Sequence, residues 1–128
     1  MKNVKILVCG MGEIEFEALC KMCEKEKFDK PIIVFEGHKN LLVKDLLRSQ
    51  PDVENKKATK ERMILFNNMP QKEIIRFIEI YKKYGFPKPL FCMVTEHNVE
   101  WSIEYLLSHL VKEREEVEKN HRIKQKNK

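Results

Sequence analysis

Among residues of a type and placement suited to chemistry, Cys9 comes first. It closes the apolar run Val4 to Cys9, and Gly10-Met11-Gly12 and a helical pattern follow it. A thiol there faces the amides of a helix start, where a thiolate is stabilised and an anion can be held. That arrangement suits thiol or phosphoryl transfer. A buried strand-end cysteine has the same local sequence, however, and Glu13, Glu15 and Glu17 put negative charge where a phosphate would sit. Cys20-Lys21-Met22-Cys23 is a C-x-x-C, but it falls inside the helix rather than at its N-terminus, so no dipole stabilises a thiolate. Zinc would need two further ligands, and no second C-x-x-C or H-x-x-x-H supplies them. Of the histidines His38, His97, His109 and His121, only His97, beside Glu96, is a candidate for acid–base work. No P-loop, dinucleotide fingerprint, nucleophile elbow or catalytic carboxylate pair is present. The expectation is no metal and no cofactor, with Cys9 and His97 the sole catalytic candidates, and the balance favours a binding module over an enzyme.

The elements that must position these residues alternate regularly. Val4 to Cys9 reads as a strand, Glu13 to Glu26 as an amphipathic helix, Pro31 to Phe35 as a strand and Leu41 to Arg48 as a short helix. Residues 49–61 contain no large apolar residue except Val53 and read as a polar linker. Arg62 to Phe66 is then a strand. A helix from Pro70 ends before Gly85, Leu90 to Val94 is a strand, and Asn98 caps a last helix running to about Lys119. Its apolar stripe is Val99, Ile103, Leu106, Leu107, Leu110 and Val117.

Displacing the sequence by 58 positions lays residues 6–40 on 64–98 with nine identities, among them Ile6/Ile64, Leu7/Leu65, Met11/Met69 and Pro31/Pro89. About two would arise by chance, so the pattern points to one unit used twice. Every strand is apolar on both faces, which predicts an α/β fold: a four-stranded, mostly parallel sheet from a duplicated β-α-β-α unit with helices on both faces. The alternative is a ferredoxin-like α+β fold, with Leu41 to Arg48 as an insertion. A single domain spans residues 1–118, with halves 4–49 and 62–118, a linker 50–61 and a basic, disordered tail 119–128.

The tail carries the whole charge imbalance. The chain has 25 basic and 20 acidic residues, and residues 119–128 hold five of the basic ones and no acid, which leaves 20 against 20 in the rest. A balanced domain has no basic footprint for a phosphate backbone, so nucleic acid is an unfavoured partner. No signal peptide or membrane-spanning apolar run is legible, and four scattered cysteines suit a reducing compartment; a cytoplasmic protein without membrane contact is expected.

In open parallel sheets, ligands collect beyond the carboxyl ends of the strands. Those ends carry Cys9 to Gly12, Phe35 to His38, Asn67-Asn68-Met69 and Thr95 to Asn98, expected on a common rim. The segment PLFCMVTEHNVEWSIEYLLSHLVKERE resembles domain-of-unknown-function family 3783, uncharacterised bacterial and archaeal proteins, in its T-x-x-N-x-x-W motif and Leu-rich helix: Thr95, Asn98, Trp101, Leu106, Leu107, Leu110 and Glu113. The resemblance extends back to about Met63; it supports the fold and implies no activity. ILVCGMG also resembles the phosphocysteine loop of sugar-transport IIB components and, more distantly, low-molecular-weight tyrosine phosphatases. Glu15, however, stands where a phosphatase loop has arginine.

At about 100° per residue, Trp101 lies roughly 170° from the centre of the last helix's stripe, with Tyr105 following on the same side. An outward tryptophan is either covered by a loop or part of a contact surface. The expected binding residues are therefore Asn67, Asn68, Thr95, Asn98, Trp101 and Tyr105. Thr95 and Asn98 would cap the last helix and leave its amides open to an anionic or carbonyl group. The partner would be a small molecule, another protein, or a second copy docked through the last helix.

Overall fold

A computed structural model describes the backbone of residues 4–126 and the side chains of residues 4–120. The element order is β1 (Lys5–Cys9), α1 (Glu13–Lys25), β2 (Ile32–Val34), α2 (Val43–Arg48), β3 (Met63–Asn67), α3 (Gln71–Lys83), β4 (Leu90–Met93) and α4 (Ile103–Lys126). Short 3-10 turns, Glu36–His38 and Asn98–Glu100, precede α2 and α4.

The four strands form one sheet in the order β2-β1-β3-β4. β1 and β2 are parallel, as are β3 and β4, but the central pair β1 and β3 is antiparallel. This corrects two expectations. The sheet is mixed rather than mostly parallel, and it is not the antiparallel sheet of a ferredoxin-like fold. The apolar runs were legible because both faces of the sheet are covered. Coverage makes a strand apolar on both sides whichever way its neighbour runs, so strand direction was not legible.

Alternation along the strands divides the core in two. Ile6, Val8, Ile64 and Phe66 point to one face, where α1 and α3 pack through Leu19, Met22, Cys23, Ile74, Phe77 and Tyr81. Leu7, Cys9, Met63 and Leu65 point to the other, under α2 and α4, where Val43, Leu46, Ile103 and Leu106 are buried. Of the C-x-x-C pair, Cys23 is in the core and Cys20 is half-buried. Each buried aliphatic or aromatic side chain of this kind stabilises the fold by about 1.5–3 kcal/mol before the cost of ordering it.

The antiparallel centre has a direct consequence for any site. Cys9 pairs with Met63 at the start of β3, while Asn67 at the end of β3 pairs with Lys5. The carboxyl ends of β1 and β2 therefore lie at one end of the sheet, and those of β3 and β4 at the other. The expected common rim does not exist; Cys9 and Thr95 belong to opposite ends. The close join at the Cys9 end needs Gly10, whose φ is +81°, and where a Cβ would come within 2.6 Å of the Glu61 carbonyl.

The last helix also departs from expectation. It begins at Ile103, not after Asn98, and its backbone continues to Lys126, past the expected end near Lys119. The segment 119–126 contains no glycine or proline to stop a helix already nucleated by packing. From Lys112 to Asn120 every residue is exposed, including Val117, which was expected on the buried stripe. The side chains of the basic tail beyond residue 120 lie outside the described residues.

Candidate functional site

At the β3–β4 end, the motif residues close a turn upon themselves. Asn98 is buried, and its Oδ1 accepts the Thr95 N–H at 2.8 Å. Its Nδ2 donates to the Met93 carbonyl at 2.9 Å and contacts Cys92 Sγ at 3.7 Å. The Thr95 hydroxyl in return accepts the Asn98 N–H at 3.1 Å. Short polar side chains that satisfy nearby backbone groups in this way favour turns over regular structure. Asn98 is thus the clasp of the turn after β4, with both of its side-chain polar atoms engaged within the chain.

Neither Thr95 nor Asn98 caps α4. Ser102 does, its Oγ accepting the Tyr105 N–H at 3.1 Å. The first amides of α4 are also taken: Ile103 N–H donates to the Leu41 carbonyl at 3.0 Å and Glu104 N–H to the Lys39 carbonyl at 2.9 Å. The expectation of free helix amides for a ligand is therefore corrected. A Ser just before an apolar-periodic stretch was a legible capping signal that the Thr-Asn pair overshadowed.

Trp101 is not on a helix. Its backbone is extended, with φ −88° and ψ 152°, two residues before α4, so its expected outward direction does not apply. The ring packs half-buried against the α2–α4 core and meets Tyr105 edge-on at 4.8 Å and His109 at 5.0 Å. Tyr105 itself is 55% exposed. His109 Nε2 lies 3.1 Å from Glu113 Oε1 one turn further on. Asn67 is half-buried at the end of β3, and Asn68 follows in a left-handed conformation with φ 55°.

Trp101, His109 and Glu113 border a groove of about 510 Å³ along the outer edge of β4. Phe66, Ile74 and Phe91 form one wall, Trp101, Leu106 and Leu110 the other, with Cys92 and Met93 between them. Thr95 and Asn98 lie along it, and the charged lining residue among those described is Glu113, with His109 beside it. Tyr105, Asn67 and Asn68 are not among the lining residues. Burial raises the Cys92 thiol above its ordinary pKa, which suits a wall residue rather than a nucleophile.

The opposite end holds Cys9, which is 1% exposed. Burial foremost, with Glu36 adding to it and a Thr59 hydrogen bond opposing, pushes its pKa up to about 12. An activated thiol requires the reverse shift. A groove of about 460 Å³ between residues 59–61 and α4 passes nearby, but Thr59, not the thiol, lines it. Glu15, which stands where a phosphatase loop would have arginine, is held by Arg62 at 2.6 Å. His97, the other catalytic candidate, is exposed at the start of the 3-10 turn. Cys9 and His97 lie at opposite ends of the sheet and cannot act on one substrate.

His38 was given no role by its sequence, yet it is buried and fully engaged. Its Nδ1 accepts the Phe35 N–H at 3.0 Å and its Nε2 lies 2.8 Å from the Pro51 carbonyl, an arrangement that requires the proton on Nε2. It closes the turn after β2 as Asn98 closes the turn after β4. Among the described residues no cluster of three or more His, Cys, Asp or Glu could hold a metal, and no helix is long and apolar enough to cross a membrane.

No curated protein and no solved structure matches the chain. The model of one family does match, over residues 62–117, which spans β3, α3, β4 and the packed part of α4 together with the whole groove. Over those residues, a little under half of the chain, the sequence is similar to the domain of unknown function family DUF3783.

Proposed function

We propose that the chain is a non-catalytic binding or regulatory module whose working surface is the groove along β4. The observation that carries this reading is a coincidence of position: six of the seven residues of the motif and its helix, Thr95, Asn98, Trp101, Leu106, Leu110 and Glu113, line one cavity, while Leu107 lines the groove at the opposite end. Asn98 and Thr95 shape the groove and do not themselves meet a ligand; the aromatic and aliphatic walls supply contact area and Glu113 the polar orientation. The same reading takes the two halves as copies of one unit. It is supported by the direct pairing of Leu7 with Leu65 in the sheet, 58 positions apart, and by the bridge between Leu42 and Ser102 ahead of α2 and α4. Self-association through the exposed face of α4 would leave the groove accessible. Titration with indole, a flat apolar probe, followed by amide NMR, tests the site. Shifts are expected at Cys92, Thr95, Trp101 and Leu110, and Leu110→Trp should abolish them by filling the cavity. Shifts elsewhere, or undiminished in Leu110→Trp, would refute the assignment.

A further inference from the structure

The two outer strands of the sheet are treated differently. The two-fold through the Leu7–Leu65 pair exchanges Val8 with Phe66, so Ile33 on β2, which pairs with Val8, corresponds to Met93 on β4, which pairs with Phe66. The edge beyond β2 is covered by the chain's own linker. Phe35 forms an antiparallel bridge with Ala58, Glu36 N–H donates to the Lys57 carbonyl at 2.8 Å, and Gly37 N–H donates to the Asn55 carbonyl at 3.0 Å. Gln50 Nε2 hydrogen-bonds the Ile33 carbonyl, and Val53 seats against Gly37. An extended segment with one apolar anchor thus seals that edge. At the β4 edge, Asn98 holds the Met93 carbonyl, but Thr95, Glu96 and His97 are exposed and Met93 is 52% exposed.

We infer that the β4 edge receives an extended peptide segment from a partner. The segment runs antiparallel to Thr95–His97 and offers carbonyls to the amides of Glu96 and His97, as residues 55–58 do for Glu36 and Gly37. Its chemistry follows from the rim. The groove, about 510 Å³ and walled by Phe66, Phe91, Trp101 and Leu110, takes an apolar anchor. Glu113 lines the groove and Glu96 stands exposed beside it, with no Lys or Arg among the described lining residues, so the flanking residues of the partner are basic. The inference rests on the groove reading and adds to it the class of partner.

The test uses two labelled, end-blocked heptapeptides, KVKLKVK and EVELEVE, with the full chain. KVKLKVK should bind at least about tenfold more tightly than its acidic counterpart and shift the Glu96 and His97 amides. His97→Pro, which removes one amide at a φ of −83° that proline tolerates, should abolish that binding. Glu96→Lys, an exposed change that leaves the fold intact, should weaken it several-fold. Equal binding of the two peptides, no binding of either, or binding unchanged in Glu96→Lys overturns the proposal. If these fail while indole shifts are still lost in Leu110→Trp, the peptide inference falls and the groove reading stands.

Discussion

Replacing Asn98 by alanine separates a clasp from a ligand contact. Asn98 is 6% exposed and makes two side-chain hydrogen bonds to backbone at 2.8 and 2.9 Å. Each such bond contributes about 0.5–1.5 kcal/mol net, and the Thr95 N–H and Met93 carbonyl sit near the surface, where water can replace part of the loss. The expected cost is therefore about 1–3 kcal/mol, or about 6–10 °C in Tm for 2 kcal/mol in a chain of this size. Asn98→Asp keeps the acceptor for Thr95 but sets a carboxylate oxygen against the Met93 carbonyl, so it should be at least as destabilising. Thr95→Val removes only the reciprocal bond to the Asn98 N–H at 3.1 Å and should cost about 1 kcal/mol. Urea unfolding followed by the fluorescence of Trp101, the sole tryptophan, measures all three. An Asn98→Ala chain within 0.5 kcal/mol of the parent, roughly the scatter of a surface substitution, would refute the clasp.

Four further outcomes follow. In the native chain Cys20 should react first with a thiol reagent, while Cys9 and Cys23, buried with pKa values pushed up to about 12, react only on unfolding; rapid alkylation of Cys9 at neutral pH would overturn its structural role. Those two thiols and Tyr81 stay neutral in the fold, each raised to about 12 chiefly by burial, whereas the unfolded chain ionises them near their ordinary values of 9.0 and 10.0. The contribution of these three groups should therefore be constant from neutral pH to about pH 9 and fall between about pH 9 and 12, by up to about 1.4 kcal/mol per pH unit for each group, measurable by denaturant titration at each pH. Gly10→Ala should cost well over 2 kcal/mol because a positive φ and a clash with Glu61 combine. Gly85→Ala, with the same φ of +81° but open space around it, should cost only about 1–2 kcal/mol; equal costs would refute the close approach at Gly10. A double-mutant cycle on Arg62 and Glu15, both about a quarter exposed, should give a coupling near 1 kcal/mol, and no coupling would remove their pairing as a tie between β3 and α1.

The strands and the helices α1, α2 and α3 were legible within about two residues, because apolar periodicity records which side chains face a core whatever the core's topology. The T-x-x-N-x-x-W motif likewise drew attention to Thr95, Asn98 and Trp101 before any geometry was known. Their roles were not legible. Asn98 reads from sequence as a helix cap, and only the path of the chain turns its amide back onto Met93. The site at Cys9 failed for the same reason, since a strand-end thiol before a glycine loop can face solvent or core, and the join with β3 decides for the core.

By itself the sequence determined the number and order of elements and the burial of both sheet faces, since local pattern encodes those. Tertiary structure alone decided the antiparallel pairing of β1 with β3, which splits the expected rim between two ends, and the linker that seals β2 while β4 stays open. Strand direction and edge coverage depend on contacts between segments far apart in the chain, and an apolar run is the same run whichever neighbour it meets.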